Sequence, residues 1–162
     1  MLEMNKTGLA RVLQARPRWL ADKRSAFAET WNARRFAEDG ITDAFVQDNH
    51  AISRLTGTVR SLHFQHPPYA QAKLVRAVAG CAYDVAVDLR AQSATYGHFT
   101  AVTLDATADN QLCIRVGFAH MFGTLAPDTE IVYKVSAYYA PGHDSGVQWN
   151  DPEIAIPWPV DP

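Results

Sequence analysis

The chain has 162 residues, 48% of them apolar and 20% charged, a size and composition that suit one ordinary hydrophobic core. A formal charge of −2 supplies no basic field for nucleic acid, and no apolar run approaches the roughly 20 residues that span a bilayer. The opening Met1-Leu2-Glu3-Met4-Asn5-Lys6 lacks the basic segment and apolar stretch of a secretory leader. Cys81 and Cys113 sit among apolar residues without metal-type spacing, and read as small buried hydrophobes of a protein kept in the reducing cytoplasm.

In chain order, Arg16-Pro17-Arg18 breaks any helix near the start, and Trp31–Glu38 reads as a short helix ended by Gly40. From about residue 43 the texture turns to β: short runs rich in Val, Tyr, Phe and Thr, separated by Gly, Pro, Asn and Asp. The expected strands are Ala44–Gln47, Thr58–Gln65, Gln71–Ala79, Ala82–Asp88, Phe99–Asp105, Gln111–Val116, Met121–Ala126 and Glu130–Tyr138. Gly80 and Ala108-Asp109-Asn110 suggest tight hairpins. No internal repeat or linker divides the chain, so one domain is expected, an arm over about 1–40 followed by a core over about 41–162. Many short strands without alternating helices point to an all-β sandwich or barrel.

Alternate residues of a strand share a face. Val59, Ser61, His63 and Gln65 form one such set, Lys73, Val75 and Ala77 a second, and Tyr133, Val135 and Ala137 a third. Each mixes apolar residues with an ionisable group. A plain packing face excludes an unpaired Lys or His, because burying it is costly; a barrel whose interior is partly a polar cavity admits them. The pattern divides evenly between that reading and faces turned to solvent.

The middle of the chain carries ordered motifs: Gln47-Asp48-Asn49-His50, Gly57-Thr58-Val59-Arg60-Ser61-Leu62-His63-Phe64-Gln65, Gln71-Ala72-Lys73-Leu74-Val75-Arg76, Tyr83-Asp84-Val85-Ala86-Val87-Asp88-Leu89-Arg90, Gly117-Phe118-Ala119-His120, Tyr133-Lys134, Tyr138-Tyr139 and Trp149-Asn150-Asp151-Pro152. In this order and spacing they resemble the signature of the dTDP-4-dehydrorhamnose 3,5-epimerases, over roughly residues 17–158. The resemblance implies a cupin-like jelly-roll β-barrel with a few short helices, a homodimer, and inversion at C3 and C5 of a dTDP-4-keto-6-deoxy sugar with neither metal nor other cofactor.

That reaction needs a base near neutral pH, an acid on the opposite face and a donor to the enolate oxygen. By the resemblance, His63 is the base, Tyr133 the acid and Lys73 the enolate stabiliser. Arg24, Glu29, Gln47, Asn49, Arg60, His120 and, most loosely, Asp144 fall at substrate-contacting positions. His50, His66, His98 and His143 read as surface residues, and His63 and His120 lack the His-x-His and downstream Glu of a metal-binding cupin.

Departures from the pattern are also visible. Ser25, Ser61 and Met121 replace family glycines, and Arg115 replaces a proline. The family's carboxyl-terminal aspartate, which orients the catalytic histidine much as the acid does in hydrolase triads, has no counterpart before Pro162. Asp84 is the expected replacement. These changes leave open a full 3,5-epimerase, an epimerase inverting one centre only, a non-catalytic sugar-nucleotide binder, and a different keto-sugar isomerisation.

Overall fold

The computed structural model describes residues 2–160. Its strands, in chain order, are β1 (Glu3–Lys6), β2 (Val12–Arg16), β3 (Trp19–Ala21), β4 (Ala26–Ala28), β5 (Gln47–Ser53), β6 (Val59–Gln65), β7 (Lys73–Ala79), β8 (Cys81–Asp88), β9 (Phe99–Asp105), β10 (Gln111–Ile114), β11 (Phe118–Thr124), β12 (Thr129–Val135) and β13 (Asp144–Val147). One helix, α1 (Ala33–Glu38), and a single 3₁₀ turn at Pro141–His143 complete the described elements. The larger sheet has the order β1-β2-β10-β7-β12-β5, the smaller β13-β6-β11-β8-β9, and β3 pairs only with β4. From β5 onward successive strands mostly alternate between the two sheets, the winding of a jelly roll.

The winding explains two turns that the sequence predicts as hairpins. Gly80 joins β7 to β8, which lie in different sheets, so the chain there crosses from one sheet to the other. Its φ of +65° and its approach to Thr129, whose Oγ1 would stand 2.5 Å from an added Cβ, require glycine. Ala108-Asp109-Asn110 likewise carries β9 of the smaller sheet into β10 of the larger. The Asn110 side chain fixes that crossing by accepting from the Asp105 N–H at 3.0 Å and donating to the Thr103 carbonyl at 2.8 Å.

Two strand predictions are displaced. The strand expected at Ala44–Gln47 starts where that prediction ends: β5 runs over Gln47–Ser53 and alternates half-buried with exposed residues as far as Ile52. The strand expected at Met121–Ala126 spans Phe118–Thr124. Strands β1 and β2 extend the larger sheet beyond β10, so residues 3–16 are sheet edge. The helix begins two residues later than predicted, since Asn32 caps it: its side chain accepts from the N–H groups of Arg34 and Arg35, worth about 1 kcal/mol.

Three apolar layers follow from the period-2 pattern. Between the sheets lie Val12, Val75, Ala77, Leu104, Leu112, Ile114, Phe118 and Ile131 among others. Outside the larger sheet, Phe36 and Ile41 pack on Leu74 and Cys113; burying a side chain such as Phe36 stabilises by about 2–3 kcal/mol. Burial pushes the Cys113 thiol up to about 12, as expected of an inert core cysteine. Cys81, expected to be buried as well, is only half-buried. Outside the smaller sheet, Leu62, Val85, Val87 and Met121 are covered by Ile154, Ile156 and Trp158 of the final segment.

Candidate active site

The apolar filling between the sheets stops short of one end, where a cavity of about 400 Å³ opens. The larger sheet contributes Gln47 and Asn49 from β5, Lys73 from β7, and Tyr133 with Val135 from β12. The smaller sheet contributes Arg60 and His63 from β6 and His120 from β11, with Asp144 at the start of β13. The barrel interior is therefore apolar at one end and a polar cup at the other, which decides the reading that the face pattern left open. Lys73 shares its face with the core residues Val75 and Ala77, and Tyr133 shares its face with Val135, as period-2 counting expects.

Strand β6 breaks that counting. His120 stands opposite His63 and Phe122 opposite Arg60, so three steps on β6 match two on β11. This bulge inserts one residue and turns both Arg60 and His63 into the cup, although their positions have opposite parity. Val59, expected on the His63 face, instead packs outside the sheet beside Leu62 and Trp158. Gln65 keeps the inward face but is structural: its Nε2 donates to the carbonyls of Tyr69 and Tyr138, and its Oε1 accepts from the Ala140 N–H. The side chain of Ser61, expected on the same face, lies outside the described residues.

Three adjacent strands of the smaller sheet set the site's electrostatics. On β8, Asp84 points inward between Ala82 and Ala86. Its carboxylate is fully buried and accepts from His120 Nε2, which lies 3.0 Å from both oxygens. Asp84 was expected to orient His63; it is committed to His120 instead, because residues 84 and 120 are diagonal neighbours in the β8–β11 register. The acid beside His63 is Asp144, whose Oδ2 lies 3.6 Å from His63 Nδ1. Across the cup, burial pushes the Lys73 ammonium down to about 8, against the opposing pull of Asp84 and Asp144. At neutral pH it is a cation facing two acids across a partly dry space, able to hold an oxygen that gains negative charge.

Eight of the predicted residues thus meet in one cavity: His63, Lys73, Tyr133, Gln47, Asn49, Arg60, His120 and Asp144. Arg24 and Glu29 do not. Arg24 sits at the tip of the β3–β4 hairpin, 88% exposed and paired with Asp22 at 3.3 Å. Glu29 lies in a separate hollow, 3.4 Å from Arg35. Two polar lining residues were missed, Gln71 and Tyr139; Tyr139 belongs to the Tyr138-Tyr139 motif, and its hydroxyl donates to Asp144 at 3.4 Å. Of the histidines read as surface residues, His50 and His66 are exposed and bonded to Glu130 and Ser145, His98 is exposed, and His143 is half-buried against Tyr69. Met121 turns outward into the layer under the final segment and borders the cup only from behind. Arg115 binds Asp43 at 2.9 Å and donates to the Gly40 carbonyl, fastening the chain beyond α1 to the end of β10. Among the described residues no three His, Cys, Asp or Glu side chains are grouped to hold a metal ion.

The jelly-roll architecture is that of the cupin-type sugar-nucleotide epimerases, as comparison with known proteins shows. The family model for dTDP-4-dehydrorhamnose 3,5-epimerase matches residues 6–162. A dTDP-4-dehydrorhamnose 3,5-epimerase of Sinorhizobium fredii is 46% identical over 151 residues, 93% of this chain and 77% of that protein. The crystal structure of dTDP-4-dehydrorhamnose 3,5-epimerase from Bacillus anthracis, solved with TDP and PPi bound, superposes with a TM-score of 0.96 at 44% identity, covering 99% of this chain and 91% of that one. The Legionella pneumophila enzyme in complex with dTDP-4-keto-L-rhamnose gives 0.94 at 37% identity, covering 99% and 85%. The chain belongs to the dTDP-4-dehydrorhamnose 3,5-epimerase family.

Proposed function

We propose that this protein inverts C3 and C5 of a dTDP-linked 4-keto-6-deoxyhexose, the step that leads toward dTDP-rhamnose. The observation that carries the reading is that the imidazole of His63, the phenol of Tyr133 and the ammonium of Lys73 line a single cavity, contributed by three strands of two facing sheets. Each carbon flanking the C4 ketone bears an acidified proton. His63 removes it, the electron pair moves onto the ketone oxygen beside Lys73, and Tyr133 returns a proton from the other side. Positioned base and acid each contribute on the order of 10²–10⁴-fold. Arg60 and His120 supply donors for the diphosphate and sugar, and the amides of Gln47 and Asn49, joined by a 2.7 Å hydrogen bond, supply neutral recognition groups.

The functional unit in this proposal is a homodimer. Among the described residues the β3–β4 hairpin pairs with no other strand, although a lone two-stranded hairpin is marginal in water. It exposes Trp19, Leu20 and Phe27 at 44%, 61% and 67%. A second copy covering this hairpin buries those side chains, and brings Arg24 and Glu29 to the partner's cup as substrate contacts.

Incubation with dTDP-4-keto-6-deoxyglucose in D₂O tests the activity by NMR. The expected result is deuterium at both C3 and C5, lost in His63→Ala. Label at one carbon identifies a single-centre epimerase, and none at either refutes the proposal.

A further inference from the structure

We infer that Trp158 is a positioning residue for substrate binding: seated on the outer face of the smaller sheet, it holds the first half of β6 in the bulged register that turns Arg60 into the cup. The inference rests on the epimerase reading above, in which Arg60 is a donor to the diphosphate. It starts from an asymmetry along β6. His63 is held from both sides, opposite His120 on β11 and opposite Gly146 on β13. The pairing with β13 ends at Leu62, where Val147 stands opposite. Val59 and Arg60 are therefore held by β11 alone, opposite Gly123 and Phe122, and the bulge separates them from the doubly paired half. A bulge leaves a residue unpaired and bends its strand, so backbone pairing by itself fixes this half weakly.

Packing on the outer face supplies the missing constraint. Trp158 lies over the Gly123–Val59 pair, the one next to Arg60. A Cβ at position 123 would meet the indole at 2.8 Å and Val59 Cγ2 at 3.4 Å, so glycine there lets the ring settle against β11 with Val59 beside it. The ring is fixed from two further directions. Its Nε1 donates to the Trp149 carbonyl at 3.0 Å, and Tyr83 meets it edge-on with centroids 5.7 Å apart. Tyr83 stands opposite Gly123 on β8, so the indole bears on β6, β11 and β8 together. Val59 held outward beneath the ring leaves Arg60 facing inward, since successive residues of a strand point to opposite faces. Among the described residues no ion pair holds the Arg60 side chain, so its direction comes from its backbone.

Calorimetric titration of the full-length protein with dTDP tests the role. Arg60→Ala is expected to weaken binding on the order of tenfold, the loss of charge-assisted hydrogen bonds to phosphate. Trp158→Ala is expected to weaken it about fivefold and Trp158→Phe by less than about twofold, and Trp158→Ala added to Arg60→Ala to weaken it no further, because both changes remove one contact. Gly123→Ala lifts the ring without truncating it; the same loss of affinity is expected, and this variant serves where Trp158→Ala does not fold. In turnover Trp158→Ala is expected to raise KM with kcat changed by less than about threefold, since His63 keeps both its neighbouring strands. A ligand-free crystal structure of either variant is expected to show the Arg60 guanidinium out of the cup and the His63–His120 pairing intact. Unchanged dTDP affinity in both variants, additive losses in the double variant, or an unmoved Arg60 overturns the inference. An Arg60→Ala protein that binds dTDP as tightly as the unaltered one, or an unaltered protein that does not bind dTDP, sinks the reading of the cup and not the positioning, which the crystal structure decides by itself.

Discussion

At the scale of single residues, the cup works by placing ionisable groups where water is only partly excluded. Lys73 shows the consequence most directly. Burial lowers its ammonium from 10.5 to about 8, and Asp84 and Asp144 limit the fall. The protonated form is the one that steadies an enolate oxygen, so it is present below about 8 and lost above. The epimerisation rate is therefore expected to hold through neutral pH and to decline with an alkaline limb near 8, read from kcat/KM against pH. Lys73→Arg keeps the charge at all accessible pH and should move that limb upward. Lys73→Met is expected to cost on the order of 10²–10³-fold in kcat. His63, Tyr133 and Lys73 are legible in the sequence because their motifs fix residue type and spacing. The partner of His63 is not, because an acid pairs with an imidazole through space: Asp84 and Asp144 stand 60 positions apart in the chain, and only the strand order β13-β6-β11-β8 separates their roles.

At the scale of elements, strand ends are tied down by compact polar clusters. The largest closes β8: Asp88, fully buried, accepts from Arg90, Ser93 and Thr95, while the Arg90 guanidinium lies 4.7 Å from the Phe118 ring centroid. Burial pushes the Asp88 carboxyl up, but these donors outweigh it and hold it well below the usual carboxylate range. A carboxylate with a depressed folded value stabilises the fold above its unfolded value of about 4, and that contribution is lost as the pH falls further. Asp88→Ala, which leaves Arg90 and two hydroxyls without their acceptor, is expected to cost about 3 kcal/mol. Calorimetry should show the Tm lowered by about 6–12 °C, with the difference from the unaltered protein shrinking on acidification below about pH 4. The bulge in β6 marks the limit of pattern reading at this scale. Alternation is a property of one strand alone, whereas a bulge is a mismatch between two, so no inspection of residues 59–65 by themselves finds it.

At the scale of the whole molecule, the proposed homodimer rests on the exposed β3–β4 hairpin. Light scattering after gel filtration is expected to give about twice the chain mass of 17.9 kDa. Leu20→Glu combined with Phe27→Glu places charges on the apolar face of the hairpin and should yield monomers, with exchange activity lost although the cup residues are untouched. A monomeric unaltered protein, or a fully active charged variant, refutes the dimer proposal. On the opposite side the final segment caps the smaller sheet. Trp158 packs against Tyr83 and over Gly123, where a Cβ would lie 2.8 Å from its ring. Ionisable groups can therefore stand inside the barrel because both outer faces of the fold are covered by apolar layers.

The sequence alone determined the all-β class, the helix near residue 36, the family and eight of the residues that meet in the cup, because residue type, period and motif spacing are local and survive in one dimension. Tertiary structure decided the rest. It decided that Gly80 and Asp109 turn between sheets and not within one, that Arg60 and His63 face the same way, that Asp84 serves His120 while Asp144 faces His63, and that Arg24 and Glu29 lie away from their own chain's cup. Each of these depends on which strands become neighbours, and strand order is settled by burial of the faces of both sheets at once.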